Sequence, residues 1–493
     1  MLEFLAQEFI YIFAASCILA ILLFLSLRKS RKSCAQLYRE AAEQGDANAQ
    51  YQLGIWYFDG YEVPQDKKEA VKLYRQAAEQ GLADAQYALA WCYSQGEGTD
   101  EDKAEATKWL RKAGNQGVFM AQYVLGNNYR SGDGVPENLE EAVKWYRKAA
   151  EQGYAVSQYE LGACYLHGTG IPANKTKALK WFRKAAEQKF APALYSLAHC
   201  YYFGIGVPKD KAEGMKWYHK AAKLGFADAQ FYLGWHYYYG VDVPKNTEEG
   251  LKLWHDSAEQ GYAFAQESLG SAYFNGHGSG IPKDRSEAAK WLCKAAEQGL
   301  DESQYLLGVC YYFGYGIAQN EAEGIKWLDK AEKQGHRDAA DLLQKIAKGD
   351  TAKMVQEYRS AADRGDAESQ YQLATCYFYG FGVPEDLAEM MKWYHRAAEQ
   401  GHVGARYHLG MWYCFGGIGI VDDVLAGIKW LRQAAESEND EAQCWLGVHC
   451  FHGMGIPRAE AEGLHWLHQA AKQGHKLAAE LLKNVGEASR CDL

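Results

Sequence analysis

The sequence predicts an all-α protein, an α/α solenoid of about twelve helical hairpins with a period of 36 residues, preceded by one transmembrane helix. The first observation is a segment, Ala-Ala-Glu-Gln-Gly or a close variant, that recurs along the chain mostly at 36-residue intervals. A period in the thirties is typical of stacked helical hairpins. The second is an apolar run of nineteen residues near the start of the chain. The last position of the recurring segment is occupied by Gly45, Gly81, Gly117, Gly153, Lys189, Gly225, Gly261, Gly299, Gly335, Gly365, Gly401, Glu438 and Gly474.

Each period contains two helices, called helix A and helix B. In the period that ends at Gly81, the three- and four-residue offsets of one helical face relate Tyr51, Leu53, Gly54 and Tyr57, which predicts helix A. A glycine-containing turn and Pro64 follow, and both interrupt a helix.

Helix B is predicted to start at a capping residue in most periods. Asp66 is placed to accept from the free amides of the first turn, and Glu69 is placed to bond back to the cap. Seven residues after the cap, most periods have an aromatic residue, which we interpret as part of the core because it recurs in copy after copy. The tryptophans at this position are Trp109, Trp145, Trp181, Trp217, Trp291, Trp327, Trp393, Trp430 and Trp466.

The patterns A-x-x-x-L-G-x-x-Y, G-x-G-V-P and K-A-x-x-W-Y-x-K-A-A-E-Q-G resemble the SEL-1-like repeat family, which is related to the tetratricopeptide repeats and has a longer loop between its helices. The resemblance extends from Cys34 to about Leu482. It implies a right-handed superhelix that acts as a scaffold or adaptor for other proteins or peptides.

One interval is only 30 residues long, and the segment from Asp338 to Arg364 lacks both the glycine turn and the tryptophan. We expect a joint there. The predicted organisation is therefore a membrane anchor, a long repeat array, a shortened irregular repeat, a second array and a tail, at residues 1–32, 33–335, 336–365, 366–485 and 486–493.

The apolar run from Phe9 to Leu27 is long enough, as a helix, to cross a bilayer core. It is too long for the apolar region of a cleaved signal peptide, and acidic residues precede it. Basic residues follow it, which favours a cytoplasmic location for the repeats. The flanking charges are Glu3 and Glu8 before the run, and Arg28, Lys29, Arg31 and Lys32 after it.

Composition and motifs argue against several other classes of function. The formal net charge is −10, which disfavours a nucleic-acid partner. We recognise no catalytic or phosphate-binding motif, and therefore expect no enzyme activity, cofactor or small-molecule substrate. The densest metal-like grouping, His449, Cys450 and His452 with His465 and His468, lacks a convincing ligand set, so no metal is expected.

By the family resemblance, helix A lines the concave surface, and side chains between its core positions are available to a partner. His199 and Trp235 are the strongest candidates because they do not recur in register. Aromatic side chains often dominate binding energy. The full set of predicted partner-binding residues is Asn127, Arg130, His199, Tyr202, Trp235, Tyr238, Tyr312 and Phe378.

The predicted function is a single-pass membrane protein whose repeats lie on the cytoplasmic side and bind partner proteins. Five cysteines share one helix A position, one per hairpin, so they have no partner within their own hairpin, as expected of reduced thiols. The alternative is an exported or luminal repeat protein that acts in host interaction or protein quality control.

Overall fold

The computed structural model describes residues 34–276, 283–347, 351–415, 423–475, 477–479 and 481–482. These residues form twenty-five α-helices and no β-strand. The prediction of an all-α repeat solenoid is confirmed. The predicted anchor, residues 9–27, lies outside the described residues. None of the helices that the structure describes combines the length and the apolar character that crossing a bilayer requires.

The chain divides into two compact units, Met1–Phe190 and Ala191–Leu493. The helices of the first unit are α1 Cys34–Glu43, α2 Ala47–Asp59, α3 Lys67–Glu79, α4 Ala83–Gln95, α5 Lys103–Asn115, α6 Phe119–Ser131, α7 Leu139–Glu151, α8 Ala155–His167 and α9 Lys175–Glu187.

The second unit continues the alternation of helix A and helix B. Its helices are α10 Ala191–Phe203, α11 Lys211–Lys223, α12 Ala227–Tyr239, α13 Thr247–Glu259, α14 Ala263–Asn275, α15 Arg285–Glu297, α16 Asp301–Phe313, α17 Glu321–Lys333, α18 Arg337–Ala347, α19 Thr351–Asp363, α20 Ala367–Tyr379, α21 Leu387–Glu399, α22 Val403–Phe415, α23 Val424–Glu436, α24 Asp440–His452 and α25 Glu460–Lys472. The predicted joint, residues 336–365, lies inside this unit and contains α18 and α19.

Helix B begins where the capping pattern predicts. The Asp66 carboxylate accepts from the amides of Lys68 and Glu69 at 3.0 and 3.1 Å. The glutamate was expected to bond back to the cap. Instead, Glu69 accepts from the ammonium group of Lys72 at 3.1 Å, an exposed pair that contributes little to stability.

The recurring tryptophans of helix B lie in the interior or at its edge. Trp109, Trp145, Trp291 and Trp393 are buried, and the other five are half-buried. A basic side chain of the next helical turn covers several of the rings, as where the Lys112 ammonium lies 3.6 Å from the Trp109 centroid.

Glutamines connect neighbouring hairpins. Gln86 donates to the carbonyl of Ala78 in the preceding hairpin at 3.1 Å. Gln116, at the end of α5, donates to the side-chain oxygen of Gln86 and to the carbonyl of Gly81, both at 2.9 Å. The glutamine of the recurring Ala-Ala-Glu-Gln-Gly segment therefore satisfies backbone groups at the junctions between hairpins, where an unpaired carbonyl would be costly.

Candidate partner-binding surface

One helix A position lies two residues after the core leucine and varies from hairpin to hairpin. Because the helices A stack in register, this position repeats along one side of each unit. In the first unit it is occupied by Ile55, Trp91, Asn127 and Ala163, and in the first hairpins of the second by His199, Trp235 and Ser271.

Trp91 is the exposed aromatic residue of this row in the first unit. Its side chain is 43% exposed and meets the ring of Phe58 edge-on, with 5.5 Å between the centroids. The Lys67 ammonium lies 5.2 Å from the Phe58 centroid and pairs with Glu97 at 2.6 Å. The first unit thus presents an apolar surface bordered by charge. Trp91 is absent from the residues predicted above, although its shared register with Trp235 could have identified it.

The next hairpin places the predicted residues Asn127 and Arg130 on α6. The Asn127 amide oxygen accepts from the Tyr146 hydroxyl at 2.7 Å, which fixes the amide against helix B. Arg130 is exposed and donates to Glu160 of the following hairpin at 2.8 Å. Arg130 is therefore accessible to a partner, although it already has an internal acceptor.

Trp235 has the same register as Trp91 but different surroundings. Its ring lies 6.1 Å from that of His452 and also packs against the cluster that contains Cys444 and Val448. The ring of Tyr239, one turn further along α12, meets Phe415 at 5.1 Å. The last two hairpins of the second unit therefore cover this part of its helix A surface.

Tyr202 and Tyr238 are core residues, only 2% and 3% exposed. The Tyr202 hydroxyl donates to the Asp242 carboxylate and lies 3.4 Å from Nδ1 of His452. The ring of Tyr238 packs against Trp254 with 4.5 Å between the centroids. Neither tyrosine is open to solvent, in contrast to the groove position expected from the sequence.

The remaining predicted residues are half-buried. His199 lies 4.5 Å from the ring of Phe203, and burial lowers the pKa of its imidazole to about 4, so it is neutral at physiological pH. Phe378 packs against Trp412 at 5.6 Å. Tyr312 lies 5.0 Å from Phe313, and burial, with a smaller contribution from the nearby Glu321, raises its pKa.

A cavity of about 160 Å³ lies where α12 approaches the last hairpins of the second unit, and its lining includes Asp242, His449 and His452. Nδ1 of His449 donates to the carbonyl of Met454 at 3.1 Å, and burial lowers the pKa of this imidazole. Among the described residues, no three histidine, cysteine or carboxylate side chains are grouped so that they could hold a metal ion.

Comparison with known proteins identifies the repeat. The Sel1 repeat model matches at residues 15–46, 47–82, 83–118, 119–154, 155–190, 191–226, 227–262, 263–300, 301–336, 367–402, 403–439 and 440–475. A search among curated proteins gave no match.

Two crystal structures are similar over much of the chain. One is a protective antigen present in uropathogenic Escherichia coli strains that displays an SLR fold, with 32% identity, a TM-score of 0.56, and coverage of 94% of this chain and 91% of that one. The other is a Sel1 repeat protein from Oxalobacter formigenes, with 32% identity, a TM-score of 0.52, and coverage of 65% of this chain and 92% of that one. The chain therefore belongs to the Sel1 repeat family.

Proposed function

We propose that this protein is a scaffold that binds partner proteins through the helix A surface of its first unit, and that it is a binding protein rather than an enzyme. Repeat solenoids of this kind generally mediate protein–protein interaction. The observation that carries the proposal is the exposed Trp91 ring beside Phe58.

Exposure is the property that distinguishes Trp91 from the other aromatic residues of the row. A large aromatic side chain buries much area on binding and loses little conformational entropy, and such residues are enriched in binding hot spots. Trp235 has the same register but is covered by the last hairpins of its own unit. Binding at Trp235 would first require those hairpins to move away.

Charged and polar groups of the next hairpin can add specificity. Arg130 is exposed on α6, one hairpin after Trp91, and a guanidinium can form paired hydrogen bonds with a partner carboxylate. Asn127 can present its amide nitrogen to a partner, since its oxygen accepts from the Tyr146 hydroxyl. His199, Tyr312 and Phe378 of the second unit remain predicted partner-binding residues.

A substitution at Trp91 tests the proposal. Partner proteins would be captured in cells with the wild-type chain and quantified against three variants, Trp91→Ala, Trp235→Ala and Phe264→Ala. Phe264 is the matched control, because it is 45% exposed but lies in the second unit. We expect Trp91→Ala to weaken binding of the main partner by about 2 kcal/mol or more, roughly a thirtyfold loss in affinity. Equal recovery with Trp91→Ala and wild type would contradict the proposed surface.

We also propose that residues 9–27 attach the scaffold to a membrane, with the repeats on the cytoplasmic side. This is supported by the length of the apolar run and by the basic residues that follow it. Replacing Arg28, Lys29, Arg31 and Lys32 by Ser, and adding lysines before Phe9, should invert or scramble the orientation of a C-terminal reporter. An unchanged reporter location would show that these charges do not orient the chain.

An exported location is the second candidate. It is favoured by the 32% identical relative that is described as a protective antigen, because an antigen must be accessible to the host. Protease treatment of intact cells distinguishes the two locations. Degradation of the repeats from outside would support export, and protection until the cells are opened would support the cytoplasmic location.

A further inference from the structure

The first described helix, α1, has an incompletely covered face. Cys34, Leu37, Tyr38 and Ala41 are only half-buried. Their counterparts 36 residues later in α3 are all buried. These counterparts are Ala70, Leu73, Tyr74 and Ala77.

The difference follows from the packing of a complete hairpin. Helix α3 lies against α2 of its own hairpin so closely that a Cβ at Gly54 would be 2.7 Å from the Tyr74 ring. Helix α1 has α2 on one side, where Tyr38 meets Trp56 with 5.0 Å between the ring centroids. Among the described residues, no helix A of its own hairpin precedes it. The uncovered face of α1 is the surface that such a helix would bury.

The sequence that precedes α1 has the length and the composition to supply this helix. The first family match starts at residue 15 and the next at residue 47, where α2 begins. Helix α2 has 13 residues, and a helix of that length that starts at residue 15 ends at residue 27, the last residue of the apolar run.

We propose that residues 15–27 dock on the uncovered face of α1 as helix A of an additional hairpin. Docking removes apolar surface of both elements from water, which favours the docked state. The docked placement uses residues of the proposed membrane span, so the two placements exclude one another. The inference goes beyond the proposed function, because it gives the apolar segment a binding place within the protein when no bilayer holds it.

The family match also predicts which residues meet. The offset between the two match starts is 32 residues (47 − 15), so Leu22 corresponds to Gly54. A Cβ at Gly54 would lie next to the Tyr74 ring and 3.4 Å from the carbonyl of Ala70, and the counterparts of these residues in α1 are Tyr38 and Cys34. Leucine is larger than glycine, so Tyr38 has to turn aside, and its partial exposure leaves room for that.

A cysteine pair provides a direct test. In the full-length chain with Cys17→Ser, Leu22→Cys is placed to form a disulfide with the native Cys34 under mild oxidation without membranes. Trypsin cleaves between the two positions, at the basic residues of 28–32, so the disulfide gives a linked peptide that mass spectrometry identifies. The matched control is Ala20→Cys, which lies about 200° away from residue 22 on a helix and should link poorly.

The expected result is an intramolecular disulfide between positions 22 and 34. The yield of a disulfide from position 20 should be at least tenfold lower. The yield of the 22–34 disulfide should decrease when vesicles of phosphatidylethanolamine and phosphatidylglycerol are added. Equal linking from both positions, or no link without vesicles, would overturn the docking. A link that joins two chains would assign the face to a second copy instead and would also overturn it. Carbonate extraction from membranes tests the proposed anchor separately. Failure of the docking is therefore distinguishable from failure of the membrane anchor.

Discussion

The second glycine of the G-x-G turn allows a sharp test of how the hairpins stack. Gly98 has a positive φ of 73°, and a Cβ at this position would lie 2.2 Å from the carbonyl oxygen of Lys67 in the preceding hairpin. Gly117, at the end of the recurring Ala-Ala-Glu-Gln-Gly segment, has a φ of 96° and nothing within 4 Å of its Cβ position. Gly98→Ala and Gly117→Ala therefore share a backbone penalty and differ in the steric one.

The expected magnitudes follow from these two penalties. Alanine in a left-handed conformation costs about 1–2 kcal/mol. It recovers about 0.4–1 kcal/mol because it reduces the entropy of the unfolded chain. Gly117→Ala should therefore lower the free energy of unfolding by about 1 kcal/mol. Gly98→Ala must in addition move the Lys67 carbonyl away, and overpacking of this kind costs about 1–3 kcal/mol or more.

Hydrogen exchange and urea denaturation of the two variants measure the difference. We expect Gly98→Ala to lose about 3 kcal/mol and to increase amide exchange in α3 and α4, which meet at this junction. Gly117→Ala should leave exchange in these helices close to wild type. If the two variants lose the same stability, close packing against Lys67 is not the reason for the second glycine, and the conformational requirement alone explains it.

Two further predictions concern other contacts between hairpins. Gln116→Ala removes the donor to the side chain of Gln86, which is 4% exposed. Urea titration should show that this substitution lowers the free energy of unfolding by about 1–3 kcal/mol. The control Gln95→Ala, at an exposed position, should change the free energy of unfolding by less than about 0.5 kcal/mol. Burial disfavours protonated His336, but the hydrogen bond and the charge of Glu302 outweigh this effect and raise its pKa to about 9. The stabilisation of the fold by the His336–Glu302 pair is therefore complete below about pH 6.5 and is lost as the pH rises through about 9. The melting temperature should fall over this pH range more in wild type than in Glu302→Gln. An equal fall in both would refute the assignment of this pKa shift to Glu302.

The sequence was sufficient for the local structure because each local signal acts within a few residues. Asp66 caps the helix that follows it, and the same offset locates the caps of later hairpins. The core role of Trp109 and its counterparts followed from recurrence, since a residue needed in every copy serves the packing that all copies share. Such patterns repeat in sequence and in structure alike, so they could be read from one chain.

The contacts of individual side chains could not be read in this way. Gln86 and Gln116 look like ordinary surface residues of a polar motif, yet they bond across a junction between hairpins. Trp235 meets His452, which follows it by more than two hundred residues in the chain. No pattern within one repeat indicates that the last hairpins of the second unit return to cover α12.

This return explains why a stretch of sequence that is rich in aromatic residues need not form an open surface. The predicted partner-binding residues Tyr202 and Tyr238 each lie in a run of three consecutive aromatic residues, Tyr201-Tyr202-Phe203 and Tyr237-Tyr238-Tyr239. In the second unit, many of these rings instead pack against each other, against helix B or against the last hairpins. An aromatic side chain can bind a partner only if the protein itself leaves it uncovered. By that criterion we expect Trp91 to be the better anchor, and a partner that depends on Trp235 would have to open the second unit before it could bind.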